Sequence, residues 1–243
     1  MDLPTALALL GMVAFAALTQ STAGFGFSLM LVPLLSLLIG PKDTVVTANV
    51  LSFVLDVALL SRLRHLVEWR LGSMLFVGAL VGMPFGLLLL IWLSPAQLQV
   101  LIAVMVILFT ILLIRGLRLH GSGRKGDILA GMVSGILNTS TSMSGPPVVL
   151  YLQGKEVPQV RFRATLTAYF GAISLIAVGL LSATGHFDRT VGTASLLAIP
   201  ALIVGGVAGN WLHYRVPERL FRRLIYAILF VSALSAFAAA LTN

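Results

Sequence analysis

The residues of this chain that could do chemistry are hydroxyls, amides and glycines gathered at two places. One is Thr19-Gln20-Ser21-Thr22-Ala23-Gly24-Phe25-Gly26-Phe27; the other is Asn138-Thr139-Ser140-Thr141-Ser142-Met143-Ser144-Gly145-Pro146-Pro147. Both lie inside charge-free runs, 3–41 and 128–154. Ser, Thr and Asn compete with the backbone for hydrogen bonds, glycine loosens it, and proline cannot donate. A helix beginning near residue 128 is therefore expected to stop near Asn138. A new one is expected at about Pro146, with Ser144 as its N-cap. In lipid, a bare backbone group is costly enough that such a break must be buried in protein or line a wet cavity.

The chemistry such breaks offer is anion binding. A half-helix N-terminus presents free N–H groups and the positive end of a dipole. Gln20, Ser21, Thr22, Asn138, Thr139, Ser140, Ser142 and Ser144 are the candidate side-chain donors to an oxyanion. Backbone around Gly24, Phe25, Gly26 and Phe27, and around Gly145 and Pro146, would supply the dipole ends. Neutral donors attract charge without a fixed Lys or Arg that would hold a transported ion too tightly for release. Some of the hydroxyls are expected instead to satisfy the broken backbone. Phe25 and Phe27 could line or gate the site, or simply pack.

Asp56 is the only acidic residue deep within an expected span. A carboxylate at a bilayer centre costs about 2.5–3.5 kcal/mol on insertion scales, which makes Asp56 a candidate for proton coupling. Arg62 lies roughly two helical turns further on, so Asp56 could alternatively reach a basic interface. Asn49 and Tyr169 are candidate cavity residues, Asn210 is a further polar group on a span, and Trp211 and His213 suit an interfacial belt.

The elements that must position these residues are membrane helices. Of 243 residues 58% are hydrophobic and 10% charged, whereas soluble domains are typically about 25% charged. Charge-free runs of the roughly 20 residues that a spanning helix needs fill most of the chain. The alternating segments of a β-barrel are absent. The expected fold is an all-α polytopic membrane protein built of two inverted-topology repeats, each a broken, re-entrant hairpin plus three transmembrane helices. The first repeat, 1–120, holds a hairpin at 4–40 and spans at about 44–61, 71–92 and 96–115. The second, 121–243, holds a hairpin at 128–154 and spans at about 164–184, 190–214 and 219–241. Ser94 before Pro95 reads as a helix cap.

The halves echo each other. Gly11-Met12-Val13 precedes the first break as Gly131-Met132-Val133 precedes the second. Gly78, Gly82 and Gly86 match Ala201, Gly205 and Gly209, and these small-residue ridges are expected to pack helices closely. Paired polar breaks at corresponding places in two halves point to a transport site.

The net charge of +8 does not imply nucleic acid, because the basic residues sit in short loops between apolar runs. If both broken segments return to the side they left, 14 of the 16 Lys and Arg fall on one side, leaving Lys42 and Arg189 on the other. The positive-inside rule then places both termini outside. No cysteine is present, so thiol chemistry, disulfides and cysteine metal sites are excluded. Histidines 65, 120, 186 and 213 fall at span ends or in loops, so no metal, cofactor or catalytic set is expected. The start of the chain lacks the basic region of a cleaved signal peptide.

These features together resemble the TauE/SafE-like sulfite exporter family. The residues that carry the resemblance are Gly24-Phe25-Gly26-Phe27-Ser28-Leu29 with Pro33, His65-Leu66-Val67-Glu68-Trp69, and Ser144-Gly145-Pro146-Pro147. Their order and spacing cover nearly the full length. The resemblance implies secondary transport of sulfite or small organosulfonate anions across a prokaryotic cytoplasmic (inner) membrane; Asp56 makes protons the candidate coupling ions. It leaves import or export, and monomer or homodimer, open. The rivals are an anion channel, a transporter of another small carboxylate or oxyanion, an intramembrane enzyme and a structural subunit. No Ser–His pair, paired carboxylates or His-Glu-x-x-His motif supports the enzyme.

Overall fold

The computed structural model describes residues 3–117, 123–155 and 157–212. The expected span at 219–241, together with His120 and His213, lies outside them. Among the described residues every regular element is helical: α1 (Leu3–Ala23), α2 (Phe27–Ile39), α3 (Pro41–Leu63), a single 3-10 turn (Arg64–Leu66), α4 (Trp69–Trp92), α5 (Pro95–Ile114), α6 (Gly123–Thr141), α7 (Gly145–Gly154), α8 (Gln159–Ala183) and α9 (Arg189–Leu212). Among the described residues six segments are long and apolar enough to cross a membrane: α1, α3 with its 3-10 turn, α4, α5, α8 and α9. The chain is a multi-pass membrane protein.

Local chemistry explains where the helices start and stop. Pro41 and Pro95 open α3 and α5, where a missing N–H is harmless. Ser94 closes a capping box, its hydroxyl taking the Gln97 N–H at 3.3 Å while Gln97 Oε1 takes the Ser94 N–H at 2.9 Å. The hydroxyl-rich stretches, by contrast, do not end their helices. Thr19 and Thr22 donate to the carbonyls of Phe15 and Leu18, four residues back, at 2.9 and 2.8 Å. Thr139, Ser140 and Thr141 do the same to Gly135, Ile136 and Leu137. Back-bonding of this kind lets a hydroxyl ride on an intact helix. Helix α6 therefore runs on to Thr141 instead of stopping near Asn138, and α1 reaches 21 residues, enough to span.

Glycine seams hold the bundle. On α4, a Cβ at Gly78, Gly82 or Gly86 would overlap the carbonyl of Ile128, Met132 or Ile136 on α6, and Gly131 and Gly135 meet Leu75 and Ala79 in return. On α9, Gly205 and Gly209 meet the carbonyls of Ala14 and Leu18 on α1 in the same way. Each seam thus joins the first half of the chain to the second, and small residues let the backbones touch. Apolar side chains face outward: Val77, Val81, Phe85 and Leu88 on α4, and Val100, Val104, Leu108 and Ile111 on α5, are exposed at helical spacing. The interior is where the polar groups lie, with Asn49, Asp56 and Thr139 fully buried.

Among the described residues, the segments around Glu68, Asp127 and 155–161 converge at one end. Glu68 pairs with Arg161 at 2.6 Å, and its N–H donates to Thr165 Oγ1 at 3.0 Å. Asp127, at the start of α6, pairs with Lys155 just past α7 and accepts from Tyr151 at 2.8 Å, so the two ends of the α6–α7 segment meet. Lys42 reaches the Ile91 carbonyl, at the far end of α4.

The seams yield a direct expectation. Gly82→Ala should cost about 1–3 kcal/mol, because the buried methyl has only backbone to displace. Gly11→Ala, with nothing within 4 Å of its Cβ, should be neutral or slightly stabilising. Thermal unfolding of the purified protein in detergent checks the pair; equal effects would disprove the close seam.

Candidate functional site

The two helix interruptions fall on Gly24-Phe25-Gly26 and on Ser142-Met143-Ser144. Gly24 and Gly26 adopt φ of +84° and +106°, values that side-chain-bearing residues rarely take, and Ser142 is the described non-glycine residue with positive φ, at 60°. The seams relate the two interruptions. A shift of 118 residues carries Ala14 to Met132 and Leu18 to Ile136, the carbonyls that meet the glycines of α9 and α4. The same shift carries Gln20 to Asn138 and Gly24 to Ser142. It differs by two residues from the register that Gly11-Met12-Val13 and Gly131-Met132-Val133 imply.

The interruptions face each other. The hydroxyls of Ser28 and Ser142 are 3.0 Å apart, and a Cβ at Gly145 would lie 3.9 Å from Phe25 Cβ. Gln20 organises the first one. Its side-chain amide donates to Asp56 Oδ1 at 2.5 Å, and its oxygen accepts the Phe27 N–H, at the start of α2, at 3.3 Å. Asn49 braces the second, donating to Val45 O at 2.9 Å and to the Asn138 carbonyl at 3.4 Å. Ser144 does not cap α7 with its side chain; its backbone is helical, and its carbonyl accepts from Ser134 Oγ at 2.7 Å.

Between them lies a cavity of about 20 Å³. Of the residues singled out from sequence, Gln20, Gly26, Phe27, Asp56, Asn138, Ser142, Ser144 and Gly145 line it. Ser28, Leu29, Ser52, Met143, Phe170 and Ser174 complete the lining. The wall is rich in hydroxyls and contains no Lys, Arg or His. Asp56 Oδ2 and Asn138 Oδ1 are buried with no hydrogen-bond partner among the described residues. One water requires roughly 10–15 Å³, so the space suits a water and must widen to take a larger anion.

Other expected site residues stand apart from the cavity. Ser21, Thr22, Gly24, Phe25, Thr139, Ser140, Pro146, Asn49 and Tyr169 are not among its lining residues. Thr22 and Thr139 join helices: beyond their back-bonds they donate to Gly209 O at 3.0 Å and to Met83 O at 2.7 Å. Among the described residues Ser140 bonds back to the Ile136 carbonyl. Tyr169 is buried beside Phe170, with ring centroids 5.6 Å apart. Asp56 is fully buried and held by Gln20 instead of reaching toward Arg62.

Sequence reasoning missed four residues. Ser52 lies one turn before Asp56 on the same helix face, and Ser28 directly follows the glycine-aromatic run; both were legible by position. Ser174 had no local signal. Arg163 reads as a loop charge beside Lys155 and Arg161, yet α8 begins at Gln159, just after Pro158, and buries it.

Gln20 should be the most sensitive of the polar positions. Gln20→Leu leaves Asp56 and the Phe27 N–H without their partner and should cost about 1–3 kcal/mol in thermal unfolding. Ser140→Ala should cost less than about 1 kcal/mol. Equal losses would show that the Gln20 bridge carries no special weight.

Comparison with known proteins agrees with this architecture. A probable sulfite/organosulfonate exporter TauE from Cupriavidus necator is 25% identical over 223 residues, 86% of this chain and 85% of that protein. A probable inner membrane transporter protein TsaS from Comamonas testosteroni is 31% identical over 107 residues, 44% of each chain. No solved structure matches. The family profile described as sulfite exporter TauE/SafE matches residues 8–236. The chain therefore belongs to the TauE/SafE sulfite exporter family, whose members are membrane transporters and not enzymes.

Proposed function

We propose that this protein is a secondary transporter of sulfite or a small organosulfonate across a prokaryotic cytoplasmic membrane, holding the anion at the facing helix interruptions. The observation that carries this reading is the meeting of two broken helices over a hydroxyl-lined cavity that contains no basic side chain. A sulfur oxyanion presents three oxygens as acceptors, and Ser28, Ser52, Ser142, Ser144 and Ser174 offer hydroxyl donors around one small volume. The N-termini of α2 and α7 add positive dipole ends, and the first turn of α2 beyond Phe27 adds N–H groups, whereas Pro146 and Pro147 leave α7 few to offer. Outward movement is the direction that the description of the Cupriavidus relative supports.

The way the halves interlock supports alternating access as the mechanism of this transport. Two inverted repeats would each supply a hairpin, α1–α2 or α6–α7, and each hairpin's first helix is seamed to a helix of the other half. Rocking one unit against the other separates the interruptions on one side at a time. The convergence of the Glu68–Arg161 and Asp127–Lys155 pairs supports placing that end in the cytoplasm and both termini outside.

Asp56 is the coupling residue in this scheme. A carboxylate and an oxyanion in one small cavity repel each other, so the anion binds when Asp56 carries a proton. The proton moves with the anion and leaves with it. Asn138 Oδ1 remains as an acceptor for a donor on the ligand or for a water.

Two experiments on the purified protein in liposomes test the scheme. Ser144→Ala and Ser28→Ala should each reduce sulfite or sulfoacetate flux by about tenfold or more, the effect of losing one hydrogen bond to a charged ligand. Ser140→Ala should retain wild-type flux, and sulfate and chloride should not replace the substrate. Equal flux in all three variants would remove the anion from the interruptions. Asp56→Asn should abolish acceleration by an imposed pH gradient while leaving concentration-driven exchange measurable. An Asp56→Asn protein that still responds to the gradient would end the coupling assignment.

A further inference from the structure

The first interruption carries a charge that its cavity does not share. Arg163, in the second turn of α8, is only 8% exposed and is the basic residue buried among the described residues. One of its guanidinium nitrogens donates to the Ser21 carbonyl, in the last turn of α1, and to Asn210 Oδ1 on α9 at 3.3 Å. The side-chain stem fills the space beside Gly24, where a Cβ would lie 2.9 Å from Arg163 Cγ. Glycine is thus required there twice, by its φ of +84° and by the arginine stem.

What matters is which end of which helix the guanidinium touches. At the interruption α1 ends and α2 begins, so a negative dipole end and a positive one lie within a few residues of each other. Each is equivalent to about half an elementary charge, and left alone they nearly cancel for an anion placed between them. A cation on the last carbonyls of α1 removes the negative member of the pair. The positive end of α2, facing Ser28 and Ser142, is then unopposed.

We infer that Arg163 is the positioning residue that makes the first interruption attractive to an anion, capping the carbonyl end of α1 through Ser21, itself held by Asn210, without lining the cavity. This rests on the proposed anion transport. It also explains how a site can attract an anion without gripping it: the fixed charge acts through a helix end and leaves the ligand's own contacts neutral and short-lived.

Sulfite flux into liposomes as a function of sulfite concentration tests the assignment. Arg163→Gln keeps amide donors but loses the charge, and should raise the half-saturation concentration about tenfold, with the maximal rate less affected. Arg163→Lys restores the charge and should recover most of the affinity. Asn210→Asp retains an acceptor in place and neutralises the guanidinium where it stands, so it should weaken affinity in the same direction as Arg163→Gln. A merely structural role predicts another pattern, in which Lys and Gln lower thermal stability alike and half-saturation stays at the wild-type value. Unchanged half-saturation in folded Arg163→Gln, or in Asn210→Asp should the Gln variant not fold, overturns the assignment. Wild-type protein with no saturable sulfite flux would overturn the transport reading and this inference together; wild-type transport with insensitive variants would sink this inference alone.

Discussion

A bilayer core offers no water to a bare N–H or carbonyl, and that one constraint shapes the centre of this protein. Helices satisfy it internally, so every departure from a helix must be repaired by something specific. The chain departs from helix at each of its two hydroxyl-rich stretches, and each of these departures has its own repair. At the first, the Gln20 side chain takes the Phe27 N–H and Arg163 takes the Ser21 carbonyl. At the second, Ser134 serves the Ser144 carbonyl and Asn49 serves the Asn138 carbonyl. Four buried polar residues, Gln20, Asn49, Ser134 and Arg163, carry out these repairs. Beside them, the serine hydroxyls of the cavity wall and the oxygens Asp56 Oδ2 and Asn138 Oδ1 belong to the residues around a common space.

Close packing makes those repairs dependable. Side chains can hold a broken helix only if the neighbouring helices stay at fixed distance, and the glycine seams bring carbonyls of α1 and α6 against the backbones of α9 and α4. With no hydrophobic drive between helices in lipid, close backbone approach is a principal source of association. The seams also couple the halves, since each interruption is anchored to a helix from the other part of the chain. In the proposed alternating access, a movement that opens one side of the site would carry a seamed pair as a unit.

The helical, membrane-spanning character of the chain was legible because composition and charge-free length report it directly. So was the existence of two interruptions, because glycine and proline mark them. Their limits were not. Thr19, Thr22, Thr139, Ser140 and Thr141 look like helix breakers in sequence, but in an apolar surrounding each hydroxyl finds the carbonyl four residues back, and they extend the helix. Sequence alone does not say which way a hydroxyl turns. The contact between Ser28 and Ser142, 114 residues apart, depends on the whole bundle and leaves no local trace. Arg163 was hidden for a different reason: three basic residues close together read as a loop, and only the start of α8 at Gln159 reveals that the third points inward.

Under the proposed transport, the arrangement of charge around the cavity resolves a conflict inherent in moving an anion through lipid. A lysine or arginine touching the ligand would favour loading and oppose release; a wall of hydroxyls alone would bind too weakly against the cost of dehydration. Here the acid, Asp56, lines the cavity, while the buried base, Arg163, bears on the end of a helix outside it. In the proposed scheme the helix end would pass on part of a unit charge, and the carboxylate would make that attraction conditional on its own state. Reversing the two placements would give a site that is always attractive and never empties. Keeping the conditional charge inside and the permanent one behind a helix terminus would let occupancy follow a second ion, and that is the requirement any coupled carrier must meet.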